Sequence, residues 1–196
     1  MKKSLLIVLG VIVLIALLLV IPFIKTNNSL VSLDENVNNA YSQIQTQMQR
    51  RADLIPNLVE TVKGYATHES ETLTKVTEAR SNVNKAIQNS SNADENSINE
   101  LQKANDELNI AINAVVEAYP DLKANQNFIG LQDELAGAEN RIAKARKDYN
   151  DAVQIFNSKV RTFPTAIFAK FLGYSAKPYF EASAGAETVP NVNFNK

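Results

Sequence analysis

The chain contains no cysteine. That excludes a disulfide framework, a thiolate nucleophile, Cys-ligated zinc and lipid attachment at a processed cysteine. Histidine occurs once, as His68. A di-iron carboxylate bundle needs two Glu-x-x-His elements, so that site cannot be built, and no His-Glu-x-x-His is present. A Ser-His-Asp triad would have to use His68 without a Gly-x-Ser-x-Gly elbow to present the serine. Six glycines form no phosphate-cradling loop. Tryptophan is absent as well, and no stretch alternates polar and apolar residues at the period of a strand. No catalytic residue, cofactor or metal is therefore expected, and the chain reads as a non-enzyme. A carboxylate pair such as Glu134 and Glu139 is the remaining route to acid–base chemistry, but charged helix residues of this kind are ordinarily solvated or ion-paired.

What the chain does have is one long apolar run. Residues 5–24, LLIVLGVIVLIALLLVIPFI, carry no charge and as a helix would reach about 30 Å, the depth of a bilayer's hydrocarbon layer. A cleaved signal peptide has a shorter apolar region and ends in small residues, which IPFIKTNNSL does not offer. A retained single span is expected. Lys2 and Lys3 precede it, and after Lys25 no cation follows until Arg50, so the cationic bias puts the N-terminus in the cytoplasm and the rest on the outer side. Beyond these three lysines the chain holds 17 cations against 21 carboxylates. A mildly acidic surface argues against nucleic acid as a partner.

The remainder is striped at helical spacing. The first stripe is Leu30, Leu33, Val37, Ala40 and Ile44, then Ile55, Leu58 and Val62; the second is Leu73, Val76, Val83 and Ile87. A polar stretch, 88–97, ends the second stripe. The third is Ile98, Leu101, Leu108, Ile112, Val115 and Tyr119, stopped by Pro120. The fourth runs from Phe128 through Leu131, Leu135, Ala138, Ile142, Ala145, Tyr149 and Ala152 to Phe156.

The stretch RRADLIPNLVETVKGYATHE (50–69) decides the helix count. Straight passage would give one helix of roughly 90 Å from 29 to 88, whereas a turn near Gly64 gives four helices of matched length. Lys63-Gly64 suits a last turn with a left-handed cap, and Thr67 or Ser70 suits the next N-cap. Pro56 lacks an N–H and crowds the carbonyl of Ala52, so a bend is expected there, with carbonyls that side chains must satisfy. The predicted fold is all-α, an N-terminal transmembrane helix followed by an up-and-down four-helix bundle. The predicted divisions are an anchor over 1–27, a bundle over 28–162, an amphipathic capping segment over 163–181 and a flexible tail over 182–196. In 163–181, Phe163, Ile167, Phe168, Phe171 and Leu172 share one side, which either caps the core or meets the membrane interface.

Several motifs now occur in order behind the apolar run: RRADLIPNLVETVKGYATHE, Ala79-Arg80, YPDLKANQNFIGLQDEL, ENRIAKARKDYN and Phe156-Asn157. Together they resemble the LemA family of bacterial membrane-anchored proteins over roughly residues 28–180. The resemblance implies a four-helix up-and-down bundle and supplies no reaction. Family members usually carry tyrosine where Phe156 stands, a difference expected to cost only a polar contact.

With corners near 64 and 123, helices one and four run antiparallel with positions summing to roughly 189. Arg50 and Arg51 then oppose Ala138 and Glu139, and Asp53 lies near Ala136 and Arg141. A structural ion-pair network of Arg50, Arg51, Asp53, Glu139 and Arg141 is expected to fix helix register. The two corners meet at one end of the bundle and gather Tyr65, His68, Glu69, Tyr119, Asn125 and Phe128, a candidate surface for an envelope or membrane protein partner. The expected function is a membrane-anchored scaffold or adaptor; the alternatives are a small-ligand sensor and an enzyme with an unrecognised carboxylate site.

Overall fold

A computed structural model describes residues 2–64 and 71–181, with few side chains before residue 20. Among the described residues five α-helices form: α1 (Lys2–Lys63), α2 (Glu71–Asn89), α3 (Glu95–Ala118), α4 (Gln126–Arg161) and α5 (Thr165–Phe171), with a 3-10 turn at Pro120–Ala124. No strand occurs among the described residues. The chain divides into two compact units, residues 1–39 with 151–177 and residues 40–150 with 178–196.

In the second unit, the buried face of α1 is Tyr41, Ile44, Met48, Arg51, Ile55, Leu58 and Val62. These steps of three and four leave no gap at the charged stretch, because Met48 and Arg51 fill the core positions between Ile44 and Ile55. Leu33 and Ala40, expected inside, are only half-buried. The face of α3 is Ile98, Leu101, Asn105, Leu108, Ile112 and Val115, so Asn105 also stands in a core position. On α4 the buried series from Phe128 to Tyr149 continues through Val153 rather than the half-buried Ala152. Two successive steps of four there shift the stripe around the helix.

Antiparallel pairing is written in the cross-helix hydrogen bonds. Gln45 Nε2 donates to the Ser90 carbonyl at 2.6 Å and Arg80 Nε to the Ala52 carbonyl at 3.1 Å, pairing α1 with α2. Asn82 Nδ2 donates to Glu107 between α2 and α3. Arg51 with Glu139 and Tyr41 with Tyr149 join α1 to α4. The second unit is therefore an up-down-up-down bundle, and the chain does reverse between α1 and α2.

Arg80 resolves the proline question. Pro56 cannot donate to the carbonyl four residues earlier, and that carbonyl, Ala52, is the one Arg80 reaches. Gly64 corrects an expectation: its N–H closes the last turn on the Glu60 carbonyl at 3.2 Å, and the backbone there is not left-handed. The left-handed cap is at Gly173, φ +82°. There the Tyr174 N–H reaches the Ala169 carbonyl and the Gly173 N–H the Lys170 carbonyl, which satisfies the end of α5. Thr67 and Ser70, the expected caps of α2, lie outside the described residues. Asp94 caps α3 by accepting from the Ser97 N–H at 2.8 Å, and that bond holds its carboxyl below the usual range.

In the first unit, Leu30, Val37, Val153, Phe156 and Val160 are buried. Phe156 takes the edge of Tyr174 at 6.0 Å and has Lys177 Nζ over its ring at 5.6 Å. The phenylalanine thus keeps an aromatic role that needs no hydroxyl. Lys177 Nζ also pairs with Asp34 at 2.8 Å. Within 163–181, Thr165 and Ala169 of α5 are buried and Phe168 is half-buried, while Ile167 and Phe171 of α5 and the preceding Phe163 are exposed.

Among the described residues no helix is long and apolar enough to cross a membrane. The span expected over 5–24 falls mostly on side chains outside the description. The tail expected over 182–196 lies wholly outside the described residues.

Candidate functional site

The heptad positions taken by Arg51 and Asn105 put two polar groups into an apolar seam, and Glu139 on α4 meets both. Arg51 Nη1 pairs with Glu139 Oε2 at 2.6 Å and donates to Asn105 Oδ1 at 3.3 Å. The Asn105 amide completes the triangle, donating to both Glu139 oxygens at 3.4 Å. The Arg51 side chain is 6% exposed and that of Glu139 34%, so the cation lies deep and the carboxylate near the rim. Burial lowers the Arg51 pKa and the Glu139 carboxylate opposes that shift.

Arg146 is a second, half-buried cation. Burial lowers its pKa too, with Glu139 and Asp106 opposing. Its guanidinium lies 5.5 Å from the centre of the Phe180 ring. The Nε of Arg51 and the Nε and Nη2 of Arg146 are buried and donate to no acceptor among the described residues. The cluster holds charge in place without satisfying every donor, which suits register and orientation better than net stability.

Beside it, α4 grips the chain's own return segment. Asn150 exchanges two hydrogen bonds with Phe180, its Nδ2 donating to the Phe180 carbonyl and its Oδ1 accepting from the Phe180 N–H, both at 2.9 Å. The Tyr149 hydroxyl donates to the Pro178 carbonyl at 3.0 Å. Phe180 is buried against the edge of Tyr149 at 5.3 Å. Burial, and secondarily Tyr41, raises the Tyr149 pKa. In the first unit, Asn157 repeats the same exchange with Lys177, at 2.9 and 2.8 Å.

Of the expected network, only Arg51 and Glu139 are brought together. Arg50, Asp53 and Arg141 are exposed. Asp53 accepts from Gln49 Nε2 at 2.8 Å, one turn away. Arg141 lies over Gly137, where an added Cβ would come 3.4 Å from Nη1. Asn105 and Arg146 escaped the sequence reading. Asn105 was findable as the polar occupant of an otherwise apolar 3-4 series; Arg146, one position off the Ala145 slot, gave no such signal.

Of the expected tip, Tyr65, His68 and Glu69 lie outside the described residues. Tyr119 is half-buried at the end of α3. Asn125 caps α4, its Oδ1 accepting from the N–H groups of Asn127 and Phe128 at 2.9 and 3.1 Å. Phe128 is fully buried, so it belongs to the core and offers a partner nothing; its position opens the α4 stripe, which is why it turns inward.

Glu134 is exposed and Glu139 is committed to Arg51, so the two do not act as a pair. No group of three or more acidic, His or Cys side chains suited to a metal occurs among the described residues. An open groove of about 620 Å³ runs past Gln45, Gln49, Arg50, Asp53, Leu54 and Ile87.

A family model described as LemA family matches residues 40–194. The chain is 29% identical over 161 residues to Protein LemA of Metamycoplasma hominis, covering 82% of this chain and 71% of that protein. It is 25% identical over 198 residues to Magnetosome protein MamQ 2 of Paramagnetospirillum magneticum, with 89% and 73% covered. Against Magnetosome protein MamQ of Magnetospirillum gryphiswaldense the identity is 21%, with the same coverage.

Proposed function

Because the chain belongs to the LemA family, we propose that it is a membrane-associated helical scaffold that docks a protein partner of the cell envelope and performs no chemistry of its own. The likeness to Protein LemA and to the MamQ proteins supports membrane association. The apolar run over 5–24 serves as the anchor, with the N-terminus cytoplasmic and the bundle outside. One observation carries the reading: α1 is a single helix from Lys2 to Lys63, so the apolar run and the first core face of the bundle belong to one element.

The docking end is the one at which α1 stops. Antiparallel pairing brings the start of α2 and the Pro120–Ala124 turn to this same end. Tyr119 supplies a half-exposed aromatic there, and Asn125 holds the turn's exit. Rigid aromatic side chains on an ordered turn bind at low entropic cost.

A photoreactive side chain at position 119, in the full-length protein in native membranes, tests the reading. A discrete protein adduct, with helix content and melting unchanged, is expected. A small molecule captured there instead points to the sensor alternative, and lipid-only or absent adducts overturn the docking role.

A further inference from the structure

We propose that Phe163, Ile167 and Phe171, joined to Phe23 of α1, form an apolar belt that lies in the interfacial layer of a lipid bilayer. The proposal rests on the reading of 5–24 as the anchor and adds a second membrane contact to it.

The inversion of α5 carries the inference. An amphipathic helix on a water-soluble domain turns its large apolar side chains inward. Here the small residues Thr165 and Ala169 are buried, whereas Phe163 is 78%, Ile167 62% and Phe171 82% exposed. Ile167 and Phe171 stand four apart on one face. Such a cluster facing water is unfavourable, and clusters of this kind mark surfaces that something covers.

Position selects lipid as the cover. Phe23, at the end of the apolar run, meets Phe168 edge-on at 5.7 Å and Phe171 at 6.2 Å. On the same helix Leu14, Leu18, Val20, Ile21 and Ile24 are exposed, between 48% and 65%. The outward face of α5 is therefore continuous with the exposed apolar surface of the run, at the level where Lys25 ends it. Lys170, exposed between Ile167 and Phe171, can extend its ammonium toward headgroups while its stem stays with the belt. A protein partner would be expected to meet a polar rim on both sides; here one side passes into the span itself.

The chain has no tryptophan, so a single introduced one reports its own surroundings. Full-length Phe171→Trp and, separately, Leu14→Trp are reconstituted into phosphatidylcholine–phosphatidylglycerol vesicles whose acyl chains are brominated either near the ester or near the chain end. Circular dichroism and melting verify that each variant folds. The inference expects a blue-shifted Phe171→Trp emission that loses most intensity to bromines near the ester, and a Leu14→Trp emission quenched by the deep bromines. Quenching at 14 with none at 171 overturns the belt and leaves the anchor standing, including the case in which 171 is shielded from acrylamide by a second copy. No quenching at either position overturns both.

Discussion

Two regions of α4 hold the chain together by different chemistry. At Glu139 a carboxylate holds a buried guanidinium, and three guanidinium nitrogens of the cluster find no acceptor among the described residues. At Asn150, a neutral amide exchanges one hydrogen bond in each direction with a backbone amide and carbonyl. The ionic region pays a desolvation cost that its partners offset only in part; the amide region desolvates no charge. The costly cluster sets Arg51 against Glu139 and Asn105, while the return segment is held by the cheap one.

The contrast is sharpest if one partner is removed. Glu139→Ala strands Arg51 in an apolar seam and weakens the field that favours Arg146, and it is expected to cost about 3 kcal/mol, at the lower end for a broken buried pair because Glu139 is partly exposed. The double change Arg51→Met with Glu139→Leu is expected to cost far less in urea melts. Equal losses for the single and the double change would mean that Arg51 does not depend on Glu139.

Asn150→Ala removes both bonds to Phe180 and is expected to cost about 2 kcal/mol, with earlier proteolytic cleavage near 178–181. Asn150→Asp keeps the acceptor and loses the donor, so it should fall between. If Asn150→Ala left both stability and proteolysis untouched, the return segment would be held by Phe180 alone.

The smallest effect belongs to the proline. Arg80→Ala leaves the Ala52 carbonyl without its donor and is expected to cost about 1 kcal/mol. In a Pro56→Ala background the restored N–H of residue 56 can serve that carbonyl, so the same change should then cost almost nothing. A double-mutant cycle without coupling would separate Arg80 from Pro56.

Much of this was legible in the residues. The 3-4 stripes give the helices, and the match of 51 with 139 followed from counting positions across two corners. The first stripe is uninterrupted between Ile44 and Ile55, because a polar residue can occupy a core position; Arg51 holds its heptad slot as Met48 and Ile55 hold theirs. Asn105 was missed for the same reason. Phe128 was misjudged by grouping it with the turn it follows rather than the stripe it opens.

The sequence by itself determined helical class, the apolar run and the pairing of helices, because periodicity and chain length act locally and every residue contributes to them. Only the tertiary structure decided that Arg80 serves Ala52, that Asn150 and Asn157 each bind a backbone segment, and that α5 turns Ile167 and Phe171 outward. Those outcomes depend on which groups meet across elements distant in the chain, and hydrogen bonding to a backbone leaves no mark on the residue type of the segment that is bound.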